Sequence, residues 1–240
     1  MAVAFKKNRE GVTYEVRTAG KTVRLYTNGA FHSQYNPRHL FTGAVWDLLS
    51  LPSLSTDRAV RDALVLGVGG GTVIHQLDAL QDIRRVIGIE LDPVHLHIAK
   101  HHFALSYRHT ELIIADARNW LNRQTEQFDY IVDDVYLHGD TDPERPFFPD
   151  RQWCDLLCRH LKPGGAVVQN HIESTRARDV KRRFDQLFDQ VLIYSNNLYS
   201  NTVLAGFFTS ASKAELKRRC EQKLNRLPRG VTSRLRHCIG

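Results

Sequence analysis

The segment Ala63-Leu-Val-Leu-Gly-Val-Gly-Gly-Gly-Thr-Val-Ile-His75 constrains the fold more than any other stretch of the chain. Its first four residues form an unbroken apolar run, the pattern of a strand buried on both faces, and Thr72–Leu80 reads as a helix. Between them stand Gly67, Gly69, Gly70 and Gly71, residues that reach positive φ and let a ligand approach the backbone. A strand that passes through such a turn into a helix opens an α/β sheet, and nucleotide-like ligands bind at that turn. A second strand, Arg85–Ile89, leads into Glu90, 23 residues beyond Gly67. At that spacing a carboxylate meets the two hydroxyls of a ribose.

Two further strand ends carry acids. Leu112–Ala115 reads as a third strand that stops at Asp116-Ala117, where a carboxylate could accept from an adenine amino group. Phe128–Val132 reads as a fourth and stops at Asp133-Asp134, and Leu161–Val168 as a helix end, a turn and a fifth strand. A charged helix over 173–188 then precedes an antiparallel pair, Gln190–Tyr194 and Thr202–Phe207. The expected fold is α/β: a Rossmann-like, doubly wound sheet of seven strands with helices on both faces, one antiparallel edge strand and a small N-terminal β element. The glycines run G-x-G-x-G, and Thr72 stands where a dinucleotide site would repeat glycine. The nucleoside that fits is S-adenosylmethionine rather than a dinucleotide.

Taken in order, GVGGGTV, GIELDP, IADA, FDYIVDD and LKPGG resemble the class I S-adenosylmethionine-dependent transferases. Within them the chain is most similar to the spermidine-synthase-like group, which holds aminopropyltransferases and methyltransferases. The resemblance covers roughly residues 60–208. It implies cofactor contacts along the turn (Gly67, Gly69, Gly70, Gly71) and at Glu90, Asp116 and Ala117, with Asp134 at the family's catalytic aspartate. Three departures stand out. The group's aminopropyltransferases read G-G-G-D-G, with an aspartate for the propylamine of decarboxylated S-adenosylmethionine, and that position is Gly70. A second aspartate three residues after the catalytic one grips the polyamine, and that position is Leu137. An N-terminal acid is expected before the core, and residues 36–43 contain none. Each lost charged hydrogen bond is worth about 1.5–3 kcal/mol.

The expected function is therefore transfer of a methyl group from S-adenosylmethionine to an amine or other nucleophile. Free backbone N–H groups around Gly70 would receive the carboxylate of the intact cofactor. The alternative is polyamine aminopropyl transfer from decarboxylated S-adenosylmethionine, and the third reading is a non-catalytic nucleoside-binding homologue. Alkyl transfer from a sulfonium needs little beyond alignment of nucleophile and carbon, plus an acid that orients the amine and takes its proton. Asp134 is the first candidate for that acid. Asp133 is the second, with capping of the following loop as its other reading. The long segment from Val135 to Pro149 has the character of a binding loop, and it offers Tyr136 and His138 as substrate contacts. Asp92 before Pro93 reads as a helix N-cap.

The apolar–polar alternation around Ala19-Gly20 and Asn28-Gly29 gives residues 12–35 to a β-hairpin element, followed by a helix over 38–50 and a short linker over 52–57. The expected division is 1–57 for this element and helix, 58–210 for the cofactor-binding α/β domain, and 211–240 for a basic tail. Residues 211–240 hold nine Lys or Arg against two acids, which accounts for the whole net charge of +7. That tail could engage an acidic partner. No apolar run is long enough for a bilayer, the N-terminal charges come too early for a secretory signal, and the four cysteines form no metal or redox motif. A cytoplasmic protein with reduced thiols is expected, acting on a small-molecule amine or a protein, with a homodimer left open. His97 and His101 are four apart on a helix but lack a third ligand, so no metal is expected.

Overall fold

Tight turns at Glu10-Gly11, Gly20-Lys21 and Asn28-Gly29 fold the start of the chain into a four-stranded antiparallel sheet. Its strands are β1 (Ala2–Arg9), β2 (Val12–Ala19), β3 (Thr22–Thr27) and β4 (Ala30–Tyr35), paired in chain order. Positive φ at both Asn28 and Gly29 is the geometry that matches a hairpin turn to strand twist. The computed structural model describes residues 1–137, 143–172 and 174–236. The β element is larger than expected because β1 precedes the alternating segment. That strand is exposed along nearly its whole length, so no buried face marks it in the sequence.

The large sheet follows. After α1 (Val45–Ser50) come β5 (Asp62–Leu66), α2 (Thr72–Leu80), β6 (Arg85–Glu90), α3 (Pro93–His102) and β7 (Thr110–Ile114). Then come α4 (Ala117–Leu121), β8 (Phe128–Asp133), α5 (Arg151–Arg159), β9 (Leu161–His171), α6 (Ser174–Leu187), β10 (Gln190–Tyr194) and β11 (Thr202–Phe207). The strand order is β10-β11-β9-β8-β5-β6-β7, a seven-stranded α/β sheet as expected. The strands 62–66, 85–90 and 110–114 are parallel neighbours. The reversed strand is β11, which pairs antiparallel with β9 and β10. It therefore lies one place in from the edge and not at the edge.

Both faces of the sheet are covered, which explains the unbroken apolar run. Ala63 and Val65 join the core beneath α1, α2 and the helix over Lys213–Leu224. Leu64 and Leu66 join the opposite core, built on Trp153 and Phe184. The N-terminal sheet packs Tyr14, Val16 and Leu25 onto Val94, Ile98 and Phe103 of the α3 region. Asp92 caps α3 as expected, accepting from Val94 N at 2.7 Å, and it also accepts from the Tyr14 hydroxyl at 2.6 Å.

Two local expectations change. The helix expected over 38–50 begins only at Val45. Gly43 sits at φ 79°, and the Asp47 carboxylate takes the N–H groups of Thr42 and Gly43, so the chain before it is a loop pinned to the first turn. The expected linker is a buried 3-10 turn, Leu51–Leu54, packed in the same core. The basic C-terminal region forms α7 (Lys213–Leu224) and α8 (Arg229–Arg236). Leu216, Cys220, Leu224 and Leu235 of these two helices are buried. Among the described residues, no helix is long and apolar enough to cross a membrane.

Candidate active site

The sheet order reverses between β5 and β8, and the crevice at the carboxyl ends of these strands is where an open α/β sheet binds its ligand. The glycine turn leaves β5 there. Gly67 takes φ +83°, and a Cβ on it would lie 2.1 Å from the Asp134 carbonyl oxygen. Glycine at 67 is thus what allows the turn to pass beside the end of β8. Every N–H of the turn has a partner inside the protein. Gly67 N donates to Ile89 O at 2.9 Å and Gly71 N to Val68 O at 2.8 Å. Val68 N and Gly69 N donate to Glu90 Oε2 at 3.0 and 2.9 Å, and Gly70 N to Ser33 Oγ at 2.7 Å.

These contacts correct the expectation at Gly70. Its N–H is taken by β4, and an added Cβ would stand 2.7 Å from both Ser33 Cβ and Phe103 Cε1. Gly71 is likewise packed, with Leu105 at 2.5 Å from an added Cβ. Gly70 and Gly71 serve the seating of β4 and the start of α2, while Gly67 and Gly69 line the cavity. Ser33 lies 37 positions from Gly70, and nothing local in the sequence announces it.

The cavity has a volume of about 320 Å³. Its walls come from the glycine turn, Glu90, Asp134, His32, His95, Tyr136, Asn170 and Asn201. A second cavity of about 280 Å³ adjoins it across Glu90 and Tyr136, bounded by Tyr14, Leu91 and Asp92. Glu90 is 8% exposed. Besides the two turn N–H groups it accepts from Asp92 N at 3.0 Å. Burial pushes its pKa up, but His95 and these backbone donors outweigh that and hold the carboxyl below the usual range. The carboxylate expected at a ribose therefore also holds the turn together. Glu90→Gln would set an amide N–H against one of these donors. It is expected to cost about 1–3 kcal/mol, with a melting temperature lower by roughly 2–4 °C per kcal/mol. An unchanged melting curve would show that the turn holds without it.

Asp116 and Ala117 line neither cavity. The Asp116 carboxylate accepts from Asn119 N at 2.8 Å as the N-cap of α4, and Ala117 is buried as its first residue.

The two aspartates at the end of β8 point to opposite faces of the sheet. Asp133 is fully buried and does not line the cavity, which corrects its reading as a catalytic acid. Its carboxylate accepts from Trp153 Nε1 at 2.6 Å, from Arg145 Nη2 at 2.9 Å and from the Gln169 amide. Asp134 faces the cavity. It accepts from Asn170 Nδ2 at 2.8 Å, and Asn170 Oδ1 accepts in turn from Asn201 Nδ2 at 3.0 Å. Burial raises the Asp134 pKa to about 6, against the lowering effects of Asn170 and Arg145. Asn170 and Asn201 were not expected at the site, since isolated asparagines carry no pattern.

Tyr136 lines both cavities and donates its hydroxyl to Asn170 O at 2.9 Å. Leu137 is exposed and pairs with the Glu144 backbone, and as a leucine it offers no acid there. His138 lies outside the described residues.

A family model described as a methyltransferase domain matches residues 63–165. The chain is 25% identical over 222 residues to polyamine aminopropyltransferase 2 of Pseudomonas aeruginosa, covering 85% of this chain and 62% of that protein. It thus spans about three fifths of that relative's length. A probable spermidine synthase from Corynebacterium glutamicum superposes with a TM-score of 0.77 at 18% identity, over 93% of this chain and 88% of that one. Human methyltransferase-like protein 13, in complex with SAH, superposes with a TM-score of 0.60 at 19% identity, over 81% and 90%. The chain has the spermidine-synthase-like fold of the class I S-adenosylmethionine-dependent transferases.

Proposed function

We propose that this chain transfers an aminopropyl group from decarboxylated S-adenosylmethionine to an amine. The observation that carries the proposal is the charge of the cavity. Two carboxylates, Glu90 and Asp134, line it, and no Lys or Arg does so among the described residues. Such a wall favours the more cationic ligand. The decarboxylated donor carries a sulfonium and an ammonium and has no carboxylate, whereas the intact cofactor brings a carboxylate that needs donors. The turn N–H groups expected to supply them are committed to Glu90, Ser33 and neighbouring carbonyls. This removes one of the grounds for expecting methyl transfer, the free N–H groups around Gly70. The likeness to a polyamine aminopropyltransferase supports the same reading.

When bound, the sulfonium supplies an activated carbon–sulfur bond, whose electron pair leaves with sulfur as methylthioadenosine. Glu90 would hold the nucleoside end. Asp134 would accept a hydrogen bond from the amine, aim its lone pair, and take the proton released as the new carbon–nitrogen bond forms. With a pKa near 6 it is largely ionised at neutral pH and ready to accept.

Methyl transfer is the second reading, favoured by the missing acids at Gly70 and Leu137. Calorimetry with S-adenosylmethionine, its decarboxylated form and methylthioadenosine separates the two. The decarboxylated form is expected to bind more tightly than the intact one, by roughly tenfold for each 1.4 kcal/mol of carboxylate repulsion. Tighter binding of the intact cofactor would give the site to methyl transfer. No binding of any of the three would leave the nucleoside-binding reading without support.

A further inference from the structure

Arg145 is buried, its side chain 4% exposed, beneath the ends of β8 and β9. Its guanidinium reaches both carboxylate oxygens of Asp133, at 2.9 and 3.4 Å. Nη2 also donates to the main-chain oxygens of Asp133 at 3.2 Å and Asn170 at 3.4 Å. The group lies 5.2 Å from the centre of the Tyr136 ring. One buried cation thus ties together the strand end that carries Asp134, the strand end that carries its partner Asn170, and a tyrosine of the cavity wall. Stability alone is a weak reason for such a pair, because well-packed apolar residues of similar volume often replace a buried ion pair at no cost.

We propose that Arg145 and Asp133 are positioning residues for Asp134: a neutralised buried pair that fixes the cavity floor without giving Asp134 a net cationic neighbour. The inference rests on reading Asp134 as the acid that serves the amine. Alone, a buried guanidinium here would draw the Asp134 carboxylate toward itself and hold it ionised. Asp133 captures that charge with good geometry and lies on the opposite face of the sheet. The charged and titratable groups around Asp134 are consistent with this balance. Arg145 and the Asn170 amide favour its ionised form, and Asp133 and Glu90 oppose it. Tyr136 stands beside it, and His32 and His95 belong to the same cavity wall. His171, next to the pair, is held neutral by burial and by Arg145, its pKa pushed down to about 3.

The test is a carbon-13 carboxyl titration of the full chain labelled at aspartate, with the Asp134 signal identified by its loss in Asp134→Asn. The wild-type midpoint is expected near 6. In Asp133→Asn the guanidinium is unopposed, and the Asp134 midpoint is expected to fall by roughly half a pH unit or more. Asp133→Ser, which leaves space for a water beside Arg145, is the second variant if the first does not fold. An unmoved midpoint in a folded variant overturns the proposal. So does failure of both variants to fold, since the pair would then serve the fold alone. Methylthioadenosine binding by the wild type is read on the same sample. Its absence would count against the proposed function and leave the titration result standing.

Discussion

Asp134→Asn is expected to lower turnover by about 10²–10⁴-fold, the usual contribution of a positioned general base, while methylthioadenosine still binds. Asparagine keeps the shape and can still accept from Asn170 Nδ2, so the geometry survives and only proton acceptance is lost. The same substitution carries a second expected result of opposite sign. The Asp134 pKa is raised from 3.8 to about 6 in the folded chain, so the fold disfavours its ionised form. For a raised acid, folding stability is highest where the group is protonated in both states and is lost as pH rises from about 4 toward 6. At pH 7 the wild type bears that full cost and the variant does not. Asp134→Asn should therefore melt higher than wild type at pH 7, with the difference vanishing near pH 4. Catalysis should fall on the acid side as pH drops through 6. A folded variant with undiminished turnover would remove Asp134 from the chemistry. A variant whose stability advantage over wild type is no larger at pH 7 than at pH 4 would show that its environment does not penalise the charge.

Much of this site could be read in the sequence because it is built from strand ends. A strand buried on both faces, such as Asp62–Leu66, announces itself as a continuous apolar run, and the first polar residue after it marks the carboxyl edge of the sheet. That logic located Glu90 and the Asp133-Asp134 pair. It did not decide between the two aspartates. Alternation sends them to opposite faces, but which face holds the cavity depends on β4 and the 199–201 segment, both distant in the chain. Gly70 failed for the same reason. Motif alignment treats it as a ligand contact, whereas Ser33 and Phe103 occupy the space around it. Arg145 and Asn170 were invisible because their partners lie 12 to 36 residues away. The helix expected over 38–50 was too long because the buried Asp47 carboxylate binds the N–H groups of Thr42 and Gly43, a local competition that periodicity does not register.

Gly67→Ala should remove nucleoside binding and lower the melting temperature by several degrees, more than its backbone angle alone would require. Two costs act together. At φ +83° an L-residue meets the left-handed penalty of about 1–2 kcal/mol. The added Cβ would also stand 2.1 Å from Asp134 O and 2.7 Å from its carbonyl carbon, an overlap that real structures relieve by moving backbone. Neither side can move freely. Gly67 N is bonded to Ile89 O, and Asp134 N to Leu66 O, both at 2.9 Å, so relief must stretch the bonds that join the turn to β6 and β8. Overpacking of this kind adds about 1–3 kcal/mol or more, and a chain of this size loses roughly 2–4 °C per kcal/mol. Gly29→Ala is the control. It has nearly the same angle, φ +82°, with nothing within 4 Å of an added Cβ, so it bears the first cost and escapes the second. Thermal melts of the two variants, with methylthioadenosine binding on each, separate the effects. Equal destabilisation, or a Gly67→Ala chain that still binds the nucleoside, would mean that the close approach of the turn to Asp134 is not what shapes the site.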